Sequence, residues 1–200
     1  MMRRRMMMVK GGLLPQGYTQ LDYVSNGGQV CYIDTGVPVS DVSFELNISV
    51  YAQSSNSGVF GNGGNINQNR ASLGLVVNSS NDIIFVYRIS QNTNAALRVG
   101  SWNNIRYDAT AGILYKDDVP IHTINKQTIS SSSTLRIGTY ATHSTKPTYF
   151  GVCVVGGKTF IPAQRDADGV VGFYNITDKV FLFSPTANQF LPPEKPVTII

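Results

Sequence analysis

Val42-Ser43-Phe44-Glu45-Leu46-Asn47-Ile48-Ser49-Val50 places five apolar side chains on one side of an extended chain and four polar ones on the other. Successive side chains of a strand point to opposite faces, so this alternation describes a strand with one face in a core and one in water. A helix would need apolar residues at spacings of three as well as four, and the stretch has none at three.

Working outward, further apolar runs predict strands at 58–61, 71–77, 83–89, 96–99, 104–109, 113–115 and 121–124. Others follow at 134–140, 150–155, 158–161, 170–175 and 180–184. Asn-, Ser- and Gly-rich punctuation separates them at 53–57, 62–69, 78–82, 91–94 and 130–133, with Asp117-Asp118 as a tight turn. About a dozen short strands at a spacing near ten residues read as a sandwich or barrel. No window carries a 3.6-residue apolar stripe, and no internal repeat is present. The expectation is an all-β, two-sheet antiparallel jelly-roll sandwich with an extended N-terminal tail.

Composition agrees. Hydrophobic residues make up 42% of the 200 and charged residues 14%, enough apolar material for a core and too little charge for a disordered chain. The net charge of +4 invites a nucleic-acid reading, but Arg3, Arg4, Arg5 and Lys10 account for it. Without them basic and acidic residues balance at twelve each, so a duplex-binding face is not expected. No stretch has the roughly 18 apolar residues of a membrane span. Met6 to Val9 is too short for the roughly 7–15-residue apolar core of a signal peptide, so neither membrane insertion nor secretion by that route is expected. Cys31 and Cys153 read as buried apolar thiols of a protein made in a reducing cytoplasm.

Three segments follow. Residues 1–12 form a basic, Met-rich tail ending in Gly11-Gly12. It reads equally as a free terminus or as a docking peptide, with Arg3, Arg4 and Arg5 for charge-assisted hydrogen bonds and Met6, Met7 and Met8 as adaptable apolar anchors. Residues 13–190 form the sandwich. Residues 191–200 are extended by Pro192, Pro193 and Pro196, with 197–200 as a candidate edge strand.

Catalytic patterns are missing. The glutamates stand at 45 and 194, so no paired-carboxylate strand motif of a glycoside hydrolase exists. Asp166 and Asp168 read as turn formers. His122 and His143 lie in no zinc-binding spacing, and no nucleophile elbow or phosphate loop occurs. Asp34, Asp41 and Asp82 are possible oxygen donors to calcium, yet no clustered acidic loop supports a site. No cofactor and no metal are expected, and no enzyme activity.

Leu14-Pro15-Gln16-Gly17-Tyr18-Thr19-Gln20-Leu21-Asp22-Tyr23-Val24, with Tyr32-Ile33-Asp34-Thr35-Gly36, resembles the opening of laminin-G-like, concanavalin-A-like jelly-roll domains of phage and gut-bacterial proteins. Trp102-Asn103-Asn104-Ile105, the 113–118 hairpin and Leu135-Arg136-Ile137-Gly138 resemble their middle strands. Phe160–Arg165 with Asp168–Tyr174 resembles the closing segment, and Cys31 departs from the more usual glutamine. Met2 to Met8 is similar to the N-terminal peptide of virion proteins from crAss-like tailed phages.

These resemblances imply a head-fibre or capsid-decoration protein on the virion surface. It would dock to capsid or other virion proteins through its tail and form a homo-oligomer on the particle. The alternative is a stand-alone carbohydrate-binding or adhesion module of a gut bacterium. Loop residues Asn62, Asn65, Asn67, Asn69 and Arg70, with Tyr140, His143 and Tyr149 around the 141–148 loop, are the candidates for host glycan contacts. Asp34-Thr35-Gly36 reads as a strand end with its turn, and Trp102, bordering a predicted strand, as a core anchor rather than a sugar platform.

Overall fold

The computed structural model describes residues 13–51, 57–62, 73–87, 89–129, 131–142 and 147–194. In chain order the strands are β1 (Tyr18–Gln20), β2 (Val24–Ser25), β3 (Cys31–Pro38), β4 (Phe44–Val50), β5 (Ser57–Gly61), β6 (Leu73–Val77), β7 (Asp82–Tyr87) and β8 (Ile89–Ala96). Then follow β9 (Trp102–Asp108), β10 (Ile113–Lys116), β11 (Val119–Thr123), β12 (Thr134–Thr142), β13 (Thr148–Val155), β14 (Lys158–Arg165), β15 (Val171–Asn175) and β16 (Val180–Phe183). The described residues contain no helix, and every strand pair is antiparallel.

Two sheets form the predicted jelly-roll sandwich. The first runs β11-β10-β9-β4-β13-β14-β15-β16, the second β3-β12-β5-β6-β7-β8. β13 and β14 stay paired only from Cys153↔Phe160 to Val155↔Lys158. Where they diverge, the N-terminal segment fills the gap: β2 pairs with β13 and β1 with β14. That insertion carries Tyr23 onto the outer face of the first sheet.

The alternation at 42–50 appears as designed by its sequence. Phe44, Leu46, Ile48 and Val50 are buried against the second sheet, while Glu45, Asn47 and Ser49 face outward. Phe44 meets Phe60 at 4.5 Å and Tyr107 at 5.8 Å, so aromatic rings from both sheets share the centre. Burying such a ring stabilises the fold by about 1.5–3 kcal/mol. Cys31 on β3 and Cys153 on β13 are free and fully buried, and desolvation pushes both thiols up to about 12.

Three local expectations need correction. The polar run 91–94 lies inside β8 rather than in a loop, because Thr93 turns inward and its hydroxyl donates to the Ile83 carbonyl at 2.8 Å. Of the predicted strand 96–99, Ala96 ends β8 and 97–99 belong to the turn that follows. Asp34-Thr35-Gly36 does not end a strand but sits within β3. There Gly36 takes φ +65° and Asp34 accepts its N–H at 2.9 Å, a bulge that shifts the register against β12.

Candidate functional site

On the outer face of the first sheet, one register row reads Trp102 (β9), Ser49 (β4), Tyr149 (β13), Ser25 (β2). Paired residues of neighbouring strands project to the same side, so these four share a surface. Alternation adds Tyr23, two residues before Ser25, and Tyr51, two after Ser49. The four rings form an arc. Tyr23 touches Trp102 at 5.8 Å and Tyr149 at 5.4 Å, and Tyr149 touches Tyr51 at 5.8 Å between centroids.

Small residues leave room between the rings. Ser49 lies beneath Trp102 and Tyr149, and Gly100, held by its N–H to the Val50 carbonyl at 2.9 Å, lies beside Tyr51. The result is a cleft of about 540 Å³, within the roughly 300–1,000 Å³ of small-molecule sites. Trp102 remains 42% exposed and Tyr51 48%. The reading of Trp102 as a core anchor is therefore overturned. Asn103 points inward in its place, fully buried, donating to the Arg98 and Ser101 carbonyls and accepting from the Arg98 N–H. Those three bonds fix the turn that presents Trp102.

The far rim comes from the C-terminal segment. Ser25 and Leu191 exchange both backbone hydrogen bonds, at 2.9 and 2.8 Å, and Leu191 closes over Gly27, which has no Cβ to obstruct it. Pro192 and Glu194 then line the cleft. Burial, a hydrogen bond with Tyr51 and the negative charge of Glu194 push the Tyr149 phenol up to about 12, so it is neutral at ordinary pH. The next outward row along the sheet holds Asn47 and Asn104, and Asn104 donates to Glu45 at 2.8 Å. Apolar ring faces thus lie beside hydrogen-bonding groups. Such a surface can pack against the C–H groups of a small ring and bond its polar substituents.

Of the candidates read from sequence, Tyr149 alone is placed at this cleft. Asn62 follows β5 in the other sheet and is 8% exposed, its N–H donating to the Leu73 carbonyl. Tyr140 lies on β12, also in the other sheet. Asn65, Asn67, Asn69, Arg70 and His143 fall outside the described residues, as do Arg3, Arg4, Arg5, Met6, Met7 and Met8. Asp34, Asp41 and Asp82 do not converge: they bond Thr134, Tyr107 and Asn78 respectively. Among the described residues no group of three metal-binding side chains occurs.

Sequence reasoning missed Tyr23, Tyr51 and Trp102. The signal existed in the alternation: Ile105 and Tyr107 are inward, so counting back by two puts Asn103 inward and Trp102 outward.

No protein family and no curated protein matches this chain. Among solved structures it is similar to the carbohydrate-binding module CBM66 from Bacillus subtilis. The two share 13% identity at a TM-score of 0.40, over 67% of this chain and 91% of that one.

Proposed function

We propose that this domain is a carbohydrate-binding module whose site is the aromatic cleft of the first sheet. The observation that carries the reading is the arc of Trp102, Tyr23, Tyr149 and Tyr51 around the small floor of Ser49 and Gly100. Binding without turnover is favoured by the carboxylates. Glu194 is the single acid lining the cleft among the described residues, whereas glycoside hydrolysis generally needs a pair.

Trp102 is the chain's one tryptophan, so its fluorescence reports the cleft directly. A glycan array with oligomerised protein, followed by fluorescence titration of the hits, tests the proposal; multivalency matters because single sites of this kind are weak. Trp102→Ala should lower affinity about tenfold while leaving the melting temperature nearly unchanged. Absence of any glycan binding would refute the reading.

A second reading concerns context, and the composition of residues 1–12 favours it. There the module rides on a phage virion, gripped through Arg3 to Arg5 and Met6 to Met8. Deleting residues 1–12 should then abolish incorporation into particles while glycan binding persists. Unchanged incorporation rejects it.

A further inference from the structure

The charge and the ring angles of the cleft narrow its ligand. Its described lining holds one carboxylate, Glu194, and no Lys or Arg. An aromatic ring adds to this field wherever its face borders the cleft, since the quadrupole is negative there. Nor do the rings form a flat platform. Tyr23 meets Trp102 at 55° and Tyr149 at 86°, and Tyr51 meets Tyr149 at 56°. A flat platform suits the broad C–H face of a neutral sugar. Angled rings beside an acid suit a compact cationic group, which gains from several ring faces at once. The floor agrees: Ser25 and Ser49 carry hydroxyls, and among the described residues nothing there supplies positive charge for an acidic sugar.

Building on the carbohydrate reading above, we infer that the cleft selects a glycan carrying a protonated amine, an amino sugar without its N-acetyl group. The amine sits against the rings with Glu194 as its counter-charge, and the sugar ring extends towards Asn47 and Asn104. Acetylation removes the charge, and with it both the cation–π attraction and the ion pair.

The test compares two probes of equal length, an oligosaccharide of β-linked glucosamine and its fully N-acetylated form, by Trp102 fluorescence titration. The amine form should bind about tenfold more tightly. Added salt should shrink that advantage, and Glu194→Gln should cut it to about threefold or less. Equal affinities, or a preference indifferent to Glu194→Gln, overturn the inference while the carbohydrate reading stands. Failure of both probes alongside binding of a neutral glycan has the same meaning. Failure of every glycan brings down both.

Discussion

The first sheet carries two aromatic surfaces, one across its middle strands and one at its β16 edge. At β2, β4, β9 and β13 four rings enclose a cleft. At β1, β15 and β16, Tyr18 packs on Tyr174 at 5.0 Å and on Phe181 at 5.4 Å, and Phe181 stacks with Phe183 at 6.4 Å. The Arg165 guanidinium lies over Phe181 and Phe183, pinned by Asp168 through two hydrogen bonds at 3.0 and 2.6 Å. The rings are similar in number; what separates the surfaces is the space between them. Ser49 and Gly100 keep the first open and a carboxylate faces it, whereas the second is filled by its own rings and its own cation. Aromatic residues make a site where small residues stand between them, and a packed surface where they do not.

Predictions can break this comparison. The largest effect is expected one residue from the site. Phe150 is fully buried on the inner face while Tyr149 faces out, so Phe150→Ala should cost about 3–5 kcal/mol in urea unfolding. Tyr149→Ala should instead spare stability and lower glycan affinity. Ser49→Phe asks the sharper question, since filling the floor makes the cleft resemble the packed surface. Affinity should fall at least about tenfold with the fold retained. Persisting affinity would refute the role given to the small floor. Phe183→Ala, at 47% exposure on the packed surface, should leave glycan affinity unchanged and shift stability by about 0.5 kcal/mol or less.

The smallest effect is shared by the two Arg–Asp pairs. Near the cleft, burial alone would raise the Asp117 carboxyl. The Asn104 N–H, Lys116 and Arg98 outweigh it and hold the pKa below the usual range. A depressed folded pKa means stability present above the unfolded value and lost as pH falls through the folded one. Comparing unfolding of the parent and Asp117→Asn from neutral pH downward should show a difference that fades below about pH 4. The side chains are partly solvated, so the difference should stay under about 1 kcal/mol. At Asp168 the Arg165 hydrogen bonds act in the same direction, between side chains that are 33% and 44% exposed. Asp168→Asn should therefore show a small difference that fades over the same pH range.

How far the sequence reaches can be judged from particular elements. Strands at 44–50, 102–108 and 171–175 were legible because one face of each is apolar, and a core is indifferent to which apolar neighbour supplies it. β1 and β2 were not: two or three residues carry too little periodicity, and their pairing depends on where β13 and β14 part. β8 was hidden by Gln91, Asn92 and Asn94: the ladder to β7 keeps Gln91 and Asn92 extended, and Asn94 takes φ +51° where the register against β7 shifts.

By itself the chain determined that it folds as a β sandwich, which residues turn inward along most strands, and that its basic charge lies in residues 1–12. Period-two alternation and composition are local, and local information suffices for them. Only the tertiary structure decided that Tyr23, Tyr51, Trp102 and Tyr149, spread over 127 positions, share one arc beside Glu194. Register between strands brings them together. Register is set by the whole sheet and by the bridge between Ser25 and Leu191, and no single stretch of sequence contains it.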